Sequence, residues 1–149
     1  MTTAYITEAE GETYFGERLN ADAWDDASSS DRVKATKQAT KAIDRLNFRG
    51  EKTSSTQANQ FPRGDDTAVP QDIKDACAEC ALAFLDGLDP EIEYENLSMV
   101  SQGYANVRSS YDRSGVPIHV VAGIPSSVAW RFLVPYLRDI FEADLRRIS

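Results

Sequence analysis

The chain has 149 residues and a mass of 16.5 kDa, the size of one domain. Hydrophobic residues at 42% and charged residues at 27% exclude wholesale disorder; a mean hydropathy of -0.43, with no apolar run near the length of a membrane span, excludes a transmembrane helix. Sixteen basic against twenty-four acidic residues give a net charge of -8, so DNA is repelled at a distance and any nucleic-acid role needs a local basic patch.

The opening MTTAYITEAEGE has neither a basic segment nor an apolar core, and no secretory leader is expected from it. Two cysteines cannot build a disulfide framework, and one histidine leaves few routes to a metal site or a catalytic base. The composition points to a small soluble domain with little catalytic equipment.

Charge is segregated along the chain. Residues 1–31 carry Glu8, Glu10, Glu12, Glu17, Asp22, Asp25, Asp26 and Asp31 against Arg18 alone. Residues 32–49 reverse the sign, with Arg32, Lys34, Lys37, Lys41, Arg45 and Arg49 against Asp44.

Thr7-Glu8-Ala9-Glu10 is a capping box and predicts a first helix running to about Leu19, with Phe15 and Leu19 stacked on its buried side. Asn20 to Trp24 reads as a cap and a short helical turn that tucks the indole under the bundle. Ser28, Ser29 and Ser30 supply caps for a helix from about Asp31 to Asn47, stopped by Gly50. Its inner face is Ala35, Ala39, Ala42, Ile43 and Leu46, small enough for close packing.

Residues 49–69 are a long polar loop whose only apolar anchor is Phe61-Pro62-Arg63. Pro70 opens the clearest helix, in which Ile73, Cys77, Cys80, Ala81, Phe84, Leu85 and Leu88 recur at helical spacing; it ends near Gly87, and Asp89-Pro90 prevents continuation. Between 96 and 121 the period changes, which predicts extended or hairpin-like segments turning near Gly103 and Gly115 and including Pro117–Val121. A helix resumes after Pro125-Ser126-Ser127. Val128, Trp130, Phe132, Leu133 and Val134 make it apolar nearly all round, so burial is expected in the fold or against another subunit. Pro135 kinks or breaks it. Beyond, Leu137, Ile140, Phe141, Leu145 and Ile148 form a final stripe.

The whole predicts one mainly α domain, 1–149. It is a small bundle of four to five helices (helical core 7–88 and 126–135) with an extended, β-hairpin-like insertion at 96–121 and a C-terminal arm at 136–149.

The chemistry-bearing motifs are sparse. Cys77-Ala78-Glu79-Cys80 lacks the second ligand pair that zinc needs and falls on an apolar helix face, where small core residues are the simpler reading. His119 has no nucleophile context, and the Asp65/Asp66 and Glu91/Glu93/Glu95 groups sit in polar loops. No phosphate-binding glycine loop or nucleophile elbow is present. No catalytic, cofactor or metal site is therefore expected, and no enzyme.

The basic stripe Lys34, Lys37, Lys41, Arg45 lies along one side of its helix. Three readings stay open. It tracks phosphates, although the helix offers no aromatic platform for bases. It complements the acidic first helix, through Glu8 and Glu12, in the same chain or a neighbour. Or it is a solvated face. The C-terminal stripe has two readings, packing on its own bundle or docking in a partner's groove.

The blocks AYITEAEGETYFGERLNADAW, KQATKAIDRLNFRG, Phe61-Pro62-Arg63 and VPQDIKDACAECALAFL, in that order, resemble a group of tailed-bacteriophage proteins. That group is similar to head–tail connector (adaptor) proteins, and its members often carry the label DnaT-like single-stranded-DNA-binding protein. The resemblance covers about residues 3–88; the rest agrees in outline.

The resemblance implies a helical adaptor of the virion neck, made in the host cytoplasm. Its copies, typically twelve, form a ring beneath the portal protein and extend the DNA channel toward a tail, stopper or tail-terminator protein. Passing double-stranded DNA is not held sequence-specifically, no membrane is involved, and no reaction is catalysed. On this view the segment from Asn96 to Ser114 meets neighbours or the tail side. Leu137, Phe141, Leu145, Arg146 and Arg147 grip the portal, and Phe61, Pro62 and Arg63 pin the long loop. The alternative is a single-stranded-DNA-binding protein of phage replication.

Overall fold

A computed structural model describes residues 3–96 and 117–138. Among these residues every regular element is helical: α1 (Glu8–Gly16), α2 (Asp22–Asp25), α3 (Ser29–Asp44), α4 (Gln71–Leu85), α5 (90–96), α6 (Ile118–Val121) and α7 (Ser127–Leu133), followed by a 3-10 turn at Val134–Tyr136. The chain is mainly α, in more and shorter pieces than four or five helices.

The helix starts follow local chemistry. Thr7 Oγ1 accepts the Glu10 amide at 3.1 Å while the Glu10 carboxylate accepts the Thr7 amide at 3.2 Å, completing the capping box. Ser28 and Ser126 accept the Asp31 and Ala129 amides in the same way, each worth about 1 kcal/mol. Pro70 is the N-cap of α4, where its missing N–H leaves nothing unsatisfied.

The core is built around α4. Ile73 and the unbroken run Ala76–Ala83 are buried, because α3 packs on one side of the helix and α7 on the other. Ala35, Ala39, Ala76, Cys77, Cys80 and Ala81 supply the small surfaces that let α3 and α4 approach closely. Thr36 and Thr40 join them, polar in sequence yet buried. Thr40 Oγ1 donates to the Thr36 carbonyl at 2.9 Å and accepts the Tyr5 amide at 3.0 Å, so the hydroxyl is satisfied inside. Trp24, fully buried, sits between Phe15 and Gly11.

Several expectations are corrected. α1 stops at Gly16, so Leu19 leaves the Phe15 stripe and is 84% exposed. α3 ends at Asp44 rather than Asn47, and Gly50 (φ +73°) turns the loop beyond it. Leu88 follows the end of α4 and is exposed; Val128 and Val134, on α7 and the turn after it, are exposed within this chain, which leaves for them the expectation of burial against another subunit.

Pro117–Val121, expected to be extended, forms helix α6, because Pro117 (φ -57°) presets the first turn and its carbonyl accepts the Val121 amide. Residues 97–116, which hold the rest of that expectation, lie outside the described residues, as do Ile140, Phe141, Leu145, Arg146, Arg147 and Ile148. Leu137, named among the portal-gripping residues, lies in the core, as the reading of its stripe as bundle packing expects. It is 7% exposed and extended, and bridges Phe48 in antiparallel fashion.

Candidate functional site

The loop 49–69 folds onto the bundle through Phe61, whose ring meets Phe48, Tyr136 and Tyr5 edge-on at 4.6, 5.9 and 6.1 Å. Pro62 follows it through a cis peptide. Arg63 donates to the carbonyls of Phe48, Arg49, Gly50 and Gln60, which ties the start of the loop to its middle. These three residues serve the loop's shape and leave no reactive group exposed.

Lys34, Lys41 and Arg45 are exposed and Lys37 is half-buried, in a line about 16 Å long on α3. At roughly 100° per residue, this line points directly away from the buried Ala35, Thr36, Ala39, Thr40 and Ile43. None of the four makes an ion pair among the described residues. The acidic first helix is served instead by two other cations. Arg32 pairs with Glu8 and Glu12 and lies 5.2 Å over the Trp24 ring. Lys74 reaches Glu10 at 2.8 Å, and that hydrogen bond is the main reason the Glu10 carboxyl is held below its ordinary value. Within the chain, Glu8 and Glu12 therefore do not meet the ridge.

Among the described residues, clefts flank this framework on two sides. One, about 240 Å³, lies between Lys41 and Arg45 on one wall and Asp89 and Glu91 on the other, with Ala42 and Phe84 in its lining. The other, about 450 Å³, lies across α4 from the ridge, lined by Arg18, Asp22, Glu79, Leu82, Asp86 and Val128 among others. Glu79 is only 3% exposed and is held by Arg18 and Tyr14, while Asp22 and Asp86 are exposed at the rim. Sequence reasoning missed this cluster. Its one signal was a carboxylate in the middle of the apolar run from Ala76 to Leu85.

The remaining chemistry-bearing residues are occupied structurally. Cys77 and Cys80 are fully buried; burial pushes the Cys77 thiol up to about 11, and Cys80 well above its ordinary value. Cys77 Sγ sits 3.5 Å from Thr40 Oγ1, a core contact between α4 and α3. His119 donates from Nδ1 to the Ile124 carbonyl at 2.8 Å, closing the turn after α6. Among the described residues no three His, Cys, Asp or Glu side chains gather to hold a metal ion, and no helix is long and apolar enough to cross a membrane.

The arrangement is that of a small helical domain that presents opposite charges on separate faces. The chain belongs to the family described as "Putative DnaT-like ssDNA binding protein", whose model matches residues 2–116. No curated protein and no solved structure matches it.

Proposed function

We propose that the protein is a structural adaptor of a tailed-bacteriophage neck, assembling as a ring beneath the portal and working by fit and charge rather than by catalysis. The observation that carries this reading is the outward line Lys34, Lys37, Lys41 and Arg45, without an ion-pair partner among the described residues, on a molecule of net charge -8. Cations left free on an acidic molecule suit the acidic surface of another copy. Opposite charges on a repeating subunit also fix register around a ring. The order of the sequence blocks, which resembles that of the adaptor group, supports the same reading. The remaining excess of carboxylates would keep a conduit from binding the DNA that slides through it.

A second reading, single-stranded DNA binding in phage replication, is favoured by the family's description and by the same free ridge. Against it, the outward face of α3 carries no aromatic ring on which a base could stack.

Two measurements separate the readings. Mass photometry of the protein mixed with portal rings should give a complex carrying several copies; a chain that never joins the portal overturns the adaptor reading. Fluorescence anisotropy with an oligo-dT strand should stay flat at low salt. Binding whose log–log salt slope approaches about -3, the value for four neutralised phosphates, would establish the second reading instead.

A further inference from the structure

The ridge needs an acceptor, and the molecule carries one on its far side. On α4, Cys77 faces α3, with Sγ 3.5 Å from Thr40 Oγ1. Glu79, Leu82, Ala83 and Asp86 lie about half a turn round the same helix and line the 450 Å³ cleft. The ridge lies on the side of α3 opposite its buried residues, although Lys41 and Arg45 also wall the smaller cleft beside Phe84. Ridge, α3, α4 and cleft thus succeed one another across the molecule, and the two charged faces look in opposite directions.

The cleft has the composition of a docking surface. Its exposed carboxylates are Asp22 and Asp86; Asp25 and Asp26, exposed at the end of α2, stand outside its lining. The buried Glu79 charge is already compensated by Arg18, so it does not draw a cation inward. Leu88 and Val128 line the cleft and are 45% and 39% exposed, and Leu19, between the lining residues Arg18 and Asn20, is 84% exposed. Large aliphatic groups beside carboxylates match lysine side chains, which lay their apolar stems on hydrocarbon and hold the ammonium at the rim.

We propose that this cleft receives the α3 ridge of a second copy, Lys37 and Lys41 meeting Asp22 and Asp86 over Leu19, Leu88 and Val128. A contact between different faces of identical subunits is heterologous, so it propagates head to tail and closes into a ring when the rotation permits. The inference rests on the adaptor reading and adds the surface that joins neighbours.

The test is a reciprocal charge reversal followed by sedimentation velocity at low salt and high protein concentration, with circular dichroism confirming the fold. Lys37→Glu with Lys41→Glu should weaken self-association at least tenfold, and Asp22→Lys with Asp86→Lys should do the same. In an equimolar mixture every face meets a complementary face on the other variant, so alternating copies should associate again, as should a chain that carries all four changes. If the wild type associates and Asp22→Lys with Asp86→Lys associates equally, this acceptor is overturned while the adaptor reading stands. If the wild type neither associates nor joins a portal ring, both fall.

Discussion

Arg18 holds Glu79 through two hydrogen bonds, Nε to Oε2 at 2.7 Å and Nη2 to Oε1 at 3.0 Å, and the Tyr14 hydroxyl donates to the same Oε2 at 2.6 Å. The carboxylate enters the core only because three donors meet it there, and its charge is what raises the Tyr14 hydroxyl further after burial has done so. Removing one partner strands the charge. Arg18→Ala should cost about 2–3 kcal/mol, near the lower end for a broken buried pair because the guanidinium is partly exposed. Glu79→Gln keeps the shape and one acceptor and should cost less. Urea denaturation of the two variants checks this ordering.

Gly11 lies under the indole. A Cβ there would come within 2.5 Å of Trp24 Cη2, a rigid ring with no exposed surface. Gly11→Ala should therefore destabilise by about 1–3 kcal/mol, although alanine is the better helix former by about 1 kcal/mol. Gly16→Ala, where a Cβ meets nothing, is the control and should be neutral or slightly stabilising. Thermal melts of the pair give the comparison.

Phe61 is the keystone of the long loop. Phe61→Ala removes a ring buried among Phe48, Tyr5 and Tyr136 and should cost about 3–5 kcal/mol. The loss should appear first as proteolysis within 49–69, at protease concentrations that leave the wild type intact. Equal resistance of the two proteins would mean that the hydrogen bonds of Arg63, Thr53, Gln57 and Asn59 hold the loop without the ring.

Asp44 gives a pH signature. Burial raises its carboxyl above the ordinary 3.8, outweighing the hydrogen bonds from the Tyr5 hydroxyl and the Gln60 amide. The folded chain then binds this proton more tightly than the unfolded chain. Its contribution is fully present below 3.8 and is lost as pH rises through the higher folded value. Asp44→Asn removes the titration while keeping the Oδ1 that accepts both donors. The melting temperature of the variant should gain on the wild type as pH rises through that window and run parallel above it. A difference constant across the range would contradict the assignment.

The thiols should be silent in the folded protein. Cys77 and Cys80 are fully buried with raised values, so an aromatic disulfide reagent at mildly alkaline pH should label neither within minutes. Both should react once denaturant is added.

Much of the architecture was legible in local chemistry. The Thr7 and Ser28 caps, the tucked Trp24, the small inner face of α3 and the apolar repeat of α4 all follow from hydrogen-bonding groups and periodicity within a few residues of one another. Leu19, Leu88 and Val121 were legible only as apolar residues. Whether each is covered depends on where its helix ends and what lies opposite, which periodicity does not contain. Leu137 shows the converse, since its stripe reads equally as bundle packing or as a docking face, and the residue is buried because Phe48, far away in the chain, pairs with it.

The candidate site divides in the same way. The line of cations on α3 is a property of spacing along one helix, so the sequence alone determined it, together with the opposite charges of the first two segments. That Arg32 and Lys74 take the carboxylates of α1, leaving the ridge without them, was decided by packing. So was the descent of Glu79 into the core beside Arg18. Electrostatic partners are chosen by distance in space, and only the tertiary fold sets those distances.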